Sequence, residues 1–337
     1  MKNPKEILLS VVIPCKNEEE HLKRCLESIS REISCLSGTE IILVDCGSTD
    51  QSLAIAKQFP IKIIQLKPEW AHSPAAARYI GCLHATGKYI FIIDADMELL
   101  TEFIKSGIDF LEQEPNIVGV AGMGAEVYPD GGIENDLYKR KNQIKSVEFL
   151  GGAALYLNSA LKTVGNFNPY LKAEEEAEIS QRLKKAGYKL FSINLPMIKH
   201  YTARDMDNFK RRLNAGMFSG IGQMLRLAIE KRTFSWYLFS RFKFVWIFVC
   251  AIIGLMVATV FVLLENSFSL LVSLLGIIIF LSAGFLIKKG FKAGTLSLYR
   301  FIIISTQILK GLFIKTPDII NYPKDVIFIK RGNRDQE

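Results

Sequence analysis

The stretch Tyr89-Ile-Phe-Ile-Ile93-Asp94-Ala-Asp96 is a short apolar run that ends in two carboxylates one residue apart. Such a run, rich in β-branched and aromatic side chains and lacking polar alternation, reads as a strand covered on both faces. Three similar runs precede it: Ile7-Leu-Leu-Ser-Val-Val-Ile13, Glu40-Ile-Ile-Leu-Val44 and Ile61-Lys-Ile-Ile-Gln-Leu66. Helical patterns separate them. From Glu18 to Leu36, Leu22, Cys25, Leu26 and Ile29 fall at i, i+3, i+4 and i+7, one apolar stripe. Ser73-Pro74-Ala-Ala-Ala-Arg78 supplies an N-cap, a proline for the first turn and good helix formers. Alternating strands and helices predict a Rossmann-like, mainly parallel, doubly wound α/β sheet. Ligands on such sheets gather at the carboxyl ends of the strands. Further along, Ile117–Ala121 and Lys189–Ile193 read as strands, and Glu174–Gly187 as a helix closed by glycine.

Polar clusters stand at those predicted strand ends. Asp94 and Asp96 give a divalent cation the oxygen ligands it needs beside a diphosphate; they also fit an acidic turn. Asp45-Cys46-Gly47-Ser48-Thr49-Asp50 follows the second strand. Asp45 offers a charged acceptor to a base or ribose, while Ser48 to Asp50 fit a helix-capping turn. Pro14-Cys15-Lys16-Asn17-Glu18 makes the first strand end polar. Arg78 on the first turns of a helix suits a diphosphate, or a surface ion pair. His200 follows the last predicted strand and reads either as a metal ligand or as a structural histidine. Gly151-Gly152 suits close approach to a sugar, or a tight turn. Gly122-Met-Gly124 lacks the third glycine of a dinucleotide fingerprint.

In combination these motifs resemble the family 2 glycosyltransferases with the GT-A fold, from about Leu9 to Gly187. The resemblance rests on Val12-Ile-Pro14 with Asn17-Glu18, on Asp45-x-Gly47-Ser48-x-Asp50, on Ala77-Arg78-x-x-Gly81, and on Asp94-x-Asp96. Gly165-Asn-Phe167, followed by Glu175-Glu176-x-Glu178-Ile179-x-x-Arg182-Leu183, extends it. It implies that Pro14, Asn17, Glu18, Asp45, Gly47, Ser48, Arg78, Asp94 and Gly152 bind a nucleotide-sugar, with UDP favoured. It implies a divalent metal, Mg or Mn, on Asp96 with Asp94 and His200. The family commonly reads Glu-Asp where this chain has Glu175-Glu176, so either glutamate is a candidate for the catalytic base. The processive members carry Gln-x-x-Arg-Trp; here the nearest stretch is Lys210-Arg211-Arg212-Leu213, without the Trp. That points to a non-processive, inverting enzyme. Its acceptor would be a glycolipid, a lipid-linked glycan or a polysaccharide precursor, or alternatively a polyprenyl phosphate. A different nucleotide-dependent enzyme or a catalytically degenerate protein are the readings it competes with.

The chain has 337 residues and a net charge of +8, which suits an anionic substrate, an anionic lipid surface or nucleic acid; the resemblance leaves out nucleic acid. Six cysteines at 15, 25, 35, 46, 82 and 250 form no CxxC and read as reduced cytosolic thiols. No secretory leader is recognisable at the N-terminus. After Arg241 the composition changes. Phe244–Leu264 gives 21 uncharged residues and Phe268–Ile287 gives 20. Each can cross a hydrocarbon core of roughly 30 Å. Lys and Arg flank the pair and are absent from its short loop, which places both flanks, and the catalytic domain, in the cytosol. The expected organisation is a GT-A domain over 1–205, a juxtamembrane linker over 206–243, two C-terminal transmembrane helices within 244–287, and 288–337 as an interfacial or third membrane helix plus tail. The interfacial alternative rests on Arg300 and Lys310 inside Leu296–Ile314. The expectation is a multi-pass protein of the cytoplasmic membrane.

Overall fold

The computed structural model describes residues 8–70, 72–135, 144–202, 205–243 and 291–331, with scattered positions between 246 and 264. The uncharged run 244–264 therefore lies largely outside the described residues, and the run 268–287 lies wholly outside them. Among the described residues no helix is long and apolar enough to cross a membrane.

The strands are β1 (Leu9–Cys15), β2 (Thr39–Asp45), β3 (Lys62–Gln65), β4 (Tyr89–Ile92), β5 (Met97–Leu99), β6 (Ile117–Val127), β7 (Ile133–Asn135), β8 (Lys145–Ser146), β9 (Ala154–Leu157), β10 (Lys189–Tyr201) and β11 (Ile327–Lys330). The helices are α1 (Leu22–Ile33), α2 (Ser52–Ala56), α3 (Pro74–His84), α4 (Phe103–Leu111), α5 (Asn158–Thr163), α6 (Glu175–Lys185), α7 (Asp205–Asn214), α8 (Met217–Glu230), α9 (Trp236–Arg241) and α10 (Phe291–Leu312).

The predicted local features form. Leu22, Cys25, Leu26, Ile29 and Ile33 of α1 are buried. The Ala76 amide donates to Ser73 Oγ at 3.1 Å and Pro74 opens α3, so the cap and the proline act together. The sheet runs β11-β3-β2-β1-β4-β9-β6-β10-β5. The run β3-β2-β1-β4 is parallel, as expected, with β2 and β4 on either side of β1. Beyond β4 the expectation of a mainly parallel sheet gives way to a mixed one. β9 lies antiparallel between β4 and β6, and β5 is antiparallel to β10. Nothing in a four-residue run such as Ala154–Leu157 marks its direction, because that depends on pairing partners far away in the chain.

The chain order reverses around β1: the path goes to β2 and β3 on one side and to β4 on the other. That reversal opens a crevice at the strands' carboxyl ends. Asn17 and Glu18 follow β1, Asp45 ends β2, and Asp94 follows β4, so the crevice collects them.

A helical layer follows the sheet. α10 packs along α8, and Gly222 and Gly311 set how closely. A Cβ on Gly222 would run into the Ile308 carbonyl, and one on Gly311 into the Ser219 carbonyl. The tail after α10 then returns to the first domain. β11 pairs antiparallel with β3 at the sheet edge, and Tyr322 is 2% exposed among Trp70, Tyr79 and Tyr170. The tail thus adds an edge strand to the sheet.

Candidate active site

Arg78 organises the centre of the site. It is 2% exposed, on the inner face of α3. Nη2 lies 2.7 Å from Asp94 Oδ1 and 3.1 Å from Glu176 Oε1, and Nη1 donates to Glu175 Oε1. Burial opposes the guanidinium charge, but Asp94, Glu176 and Glu175 outweigh it and hold the group above its ordinary pKa. A buried guanidinium needs countercharges, and here three carboxylates from β4's end and α6 provide them. Its role is to hold those carboxylates together.

The two candidate bases separate at once. Glu175 is buried behind Arg78, while Glu176 keeps a side-chain exposure of 20%. Burial and the neighbouring Glu176 push the Glu175 carboxyl up to about 8, with Arg78 opposing. Burial also raises Asp94, to about 6, although Arg78 pulls it down. Gly152 closes this corner: a Cβ there would stand 2.5 Å from Asp94 Oδ2. The glycine is required by close approach to the carboxylate.

Asp96 stands beside His200, whose Nε2 lies 3.2 Å from Asp96 Oδ2. Glu126 lies on the other ring nitrogen at 2.9 Å. Burial disfavours charge on His200, but hydrogen bonds to Asp96 and Glu126 outweigh it and push its pKa to about 10. Asp96 Oδ1 is buried without a hydrogen-bond partner. A buried carboxylate oxygen without a donor is open to a water or a cation. The spare oxygen and the surplus of acid fit a divalent cation, which His200 would join only on giving up the proton that pairs it with Asp96 and Glu126. Among the described residues no group of three or more His, Cys, Asp or Glu is already gathered to hold one.

Asp45 is fully buried and its oxygens accept from the Gly47 and Ser48 amides and from Gln65 Nε2 at 2.8 Å. In this arrangement it shapes the turn, where Gly47 takes φ +78°. The Asn17 amide donates to Ser48 Oγ, and the Thr49 amide to Asn17 Oδ1, so the loops after β1 and β2 lock together. Pro14 is buried within β1, one residue before its end. Glu18 faces a cavity of about 690 Å³ that Asp50, Asp96, Tyr128 and Arg211 also line. Burial, with Asp96 adding, raises Glu18 to about 8.

Sequence reasoning placed Asp94, Asp96, Glu176, Gly152 and His200 near one another. It missed Glu126, which carries no local signal inside β6, and Gln65. Arg211 was visible only as part of a basic run; in the structure α7 brings it to the acidic cavity.

Residues 10–165 match the profile of Glycosyl transferase family 2. That match, just under half of the chain, and the relatives below support a family 2 glycosyltransferase. The glycosyltransferase AglE of Haloferax volcanii is 26% identical over 54% of this chain and 63% of its own length. The succinoglycan biosynthesis protein ExoA of Rhizobium meliloti is 24% identical over 66% of this chain and 76% of its own. Among solved structures, S. aureus TarS 1–349 in complex with UDP-GlcNAc superposes with a TM-score of 0.51 at 17% identity, covering 66% of this chain and 72% of that one. The likeness to TarS supports the same mixed α/β, GT-A-like sheet for this glycosyltransferase.

Proposed function

We propose that this glycosyltransferase moves a sugar from a nucleotide-sugar, with UDP favoured, to an acceptor held at a membrane, by one inverting displacement per encounter. The observation that carries the reading is the convergence of Asp94 and Glu176 on a single nitrogen of Arg78. That arrangement puts a partly exposed carboxylate and the end of β4 on the same crevice. Glu176 takes the proton of the acceptor hydroxyl, and Arg78 fixes its position. Glu175, buried behind the guanidinium, supports the helix end. Asp96, with Asp94 and His200 beside it, would hold a Mg or Mn ion. Such an ion neutralises charge on a departing diphosphate. Arg211 offers a second positive charge at the same cavity.

The membrane part rests on the two uncharged runs and on what flanks them. Leu238 of α9 and Ile308 of α10 share one buried cluster, and Arg241 pairs with Glu174 at 3.0 Å. Both flanks are thus bound to the same catalytic unit. Any crossing made between 243 and 291 must be matched by a return, which suits a two-span hairpin. On α10, Leu296, Tyr299 and Ile302 are exposed, Phe313 just past its end is exposed too, and three basic residues interrupt the helix. This supports the interfacial reading of α10 over a third span. The acceptor class follows from that placement.

A panel of nucleotide-sugars with purified protein and Mg²⁺ or Mn²⁺, scoring released nucleotide with and without lipid acceptors, tests the proposal. Metal-dependent release from a UDP-sugar, increased by a lipid acceptor, is expected. No release from any donor would overturn it.

A further inference from the structure

A second cavity lies toward the far end of α6 from the catalytic glutamates. It encloses about 930 Å³ between α6, the end of α8 and the segment that follows α10. Its charges sort into two groups. Arg182 bonds Glu178 twice, at 2.6 and 2.7 Å, and donates to two backbone carbonyls, so it is structural. Glu230 pairs with Arg226, and Asp318 with Lys231. Lys185 Nζ donates to the Lys231 carbonyl at 2.8 Å, and Lys315, which also lines the cavity, is exposed. Among the described residues neither lysine has a carboxylate partner. The internal pairs cancel and these two cations remain.

The rest of the wall is apolar. Val164, Leu227 and Ile319 line it, and Ile320, 77% exposed, forms its edge. Phe313, 83% exposed, continues that edge into the apolar side of α10. The volume is that of a small-molecule site. Free phosphate would satisfy the lysines and leave the apolar wall wet. An apolar ligand would leave two ammonium groups unmatched. An amphiphile with an anionic head meets both, its head between Lys185 and Lys315 and its chain beside Ile320 and Phe313.

We infer that this cavity is a headgroup site for an anionic membrane phospholipid, separate from donor and acceptor sites. The inference rests on the membrane reading above and adds to it a defined lipid contact. The site joins the lipid surface to α6, whose first turn carries Glu175 and Glu176.

The test uses the full chain in non-ionic detergent, with native mass spectrometry of bound phosphatidylglycerol or phosphatidylcholine, and with inorganic phosphate as competitor. Phosphatidylglycerol should be retained at least tenfold more tightly. The Lys185→Gln/Lys315→Gln double variant should lose that preference by roughly 10- to 30-fold, two charges at about 1 kcal/mol each. The Lys185→Arg/Lys315→Arg variant should keep it. Donor hydrolysis should be unchanged in both, showing that they fold. Equal retention of the two lipids, indifference of the Gln variant, or full displacement by millimolar phosphate each overturns the inference. The share of wild-type chain in the membrane pellet separates the two claims. A chain absent from the pellet removes the membrane reading and this site with it. A chain in the pellet whose lipid binding ignores the Gln variant removes this site alone.

Discussion

Arg78 Nη2 lies 2.7 Å from Asp94 Oδ1, so the end of β4 is tied to the inner face of α3 by a buried charge pair. The same nitrogen reaches Glu176 at 3.1 Å. Replacing Arg78 leaves three carboxylates in a corner with no cation. Removing one partner of a buried pair costs about 3–5 kcal/mol. Arg78→Met should therefore lower the apparent melting temperature sharply and abolish turnover. Arg78→Lys keeps the charge but not the fork, and should recover part of the stability while losing most of the activity. Melting curves and turnover on the two variants check this; a stable, active Arg78→Met protein would contradict the assigned role.

Glu176→Gln and Glu175→Gln should behave differently although the residues are adjacent. Glu176 is the accessible one, so its amide variant should fold normally and lose about 10²- to 10⁴-fold in kcat, the usual worth of a general base. Glu175 is buried, so its variant should keep more of the rate. Turnover retained by Glu176→Gln with a lipid phosphate acceptor, which is already anionic, would point to a reaction needing no base.

The part of this site that the sequence reveals is the part built locally. Asp94 and Asp96 follow directly on an apolar run, and Ser73-Pro74 caps its own helix, so both were readable from spacing. Arg78 was visible as a residue but not as a buried one, because its partners come from 16 and 97 residues away. The antiparallel entry of β9 and the return of β11 to β3 were invisible for the same reason. Strand direction and pairing depend on contacts between distant segments, and Ile327-Phe-Ile-Lys330 alone reads as any short apolar run.

Gly152→Ala tests close approach without touching a charge. The new methyl would meet Asp94 Oδ2 at 2.5 Å, and the carboxylate has to move. Overpacking of this kind costs about 1–3 kcal/mol. Displacement of a positioned group by about 1 Å costs on the order of 100-fold in rate. The expected outcome is a folded protein whose kcat/KM falls far more than its melting temperature. An unchanged kcat/KM would show that Asp94 has no fixed position in the working site.

Stability should fall as pH rises. Burial raises Glu175 from an ordinary 4.5 to about 8, and raises Glu18 likewise. Between those values the folded chain binds more protons than the unfolded one. The associated stability is complete below about pH 4.5 and is lost as pH climbs through 8. Each such group contributes a slope of up to about 1.4 kcal/mol per pH unit. Glu175→Gln has nothing to titrate there, so its melting temperature should vary less between pH 5 and 8 than that of the wild type. An equal or steeper dependence would show that Glu175 is already ionised in the folded protein.

The tail offers a contrast between packing and surface charge. Tyr322 is 2% exposed, and its ring centroid lies 5.4 Å from that of Tyr170, 5.7 Å from Tyr79 and 5.9 Å from Trp70. Asp325, three residues on, pairs with Lys67 at the surface. Truncating a buried aromatic costs about 3–5 kcal/mol, while an exposed ion pair contributes about 0–1 kcal/mol. Among the described residues after α10, Tyr322 is the one whose side chain is buried, so losing the ring should loosen the tail before the domain unfolds. Tyr322→Ala should make the peptide between Thr316 and Lys330 sensitive to limited proteolysis, whereas Asp325→Ala should leave it as resistant as in the wild type. Tyr322→Phe keeps the ring and should stay resistant, which separates packing from any role of the hydroxyl. If Asp325→Ala were the variant that exposed the tail, the charge pair and not the aromatic cluster would be what holds β11 against β3.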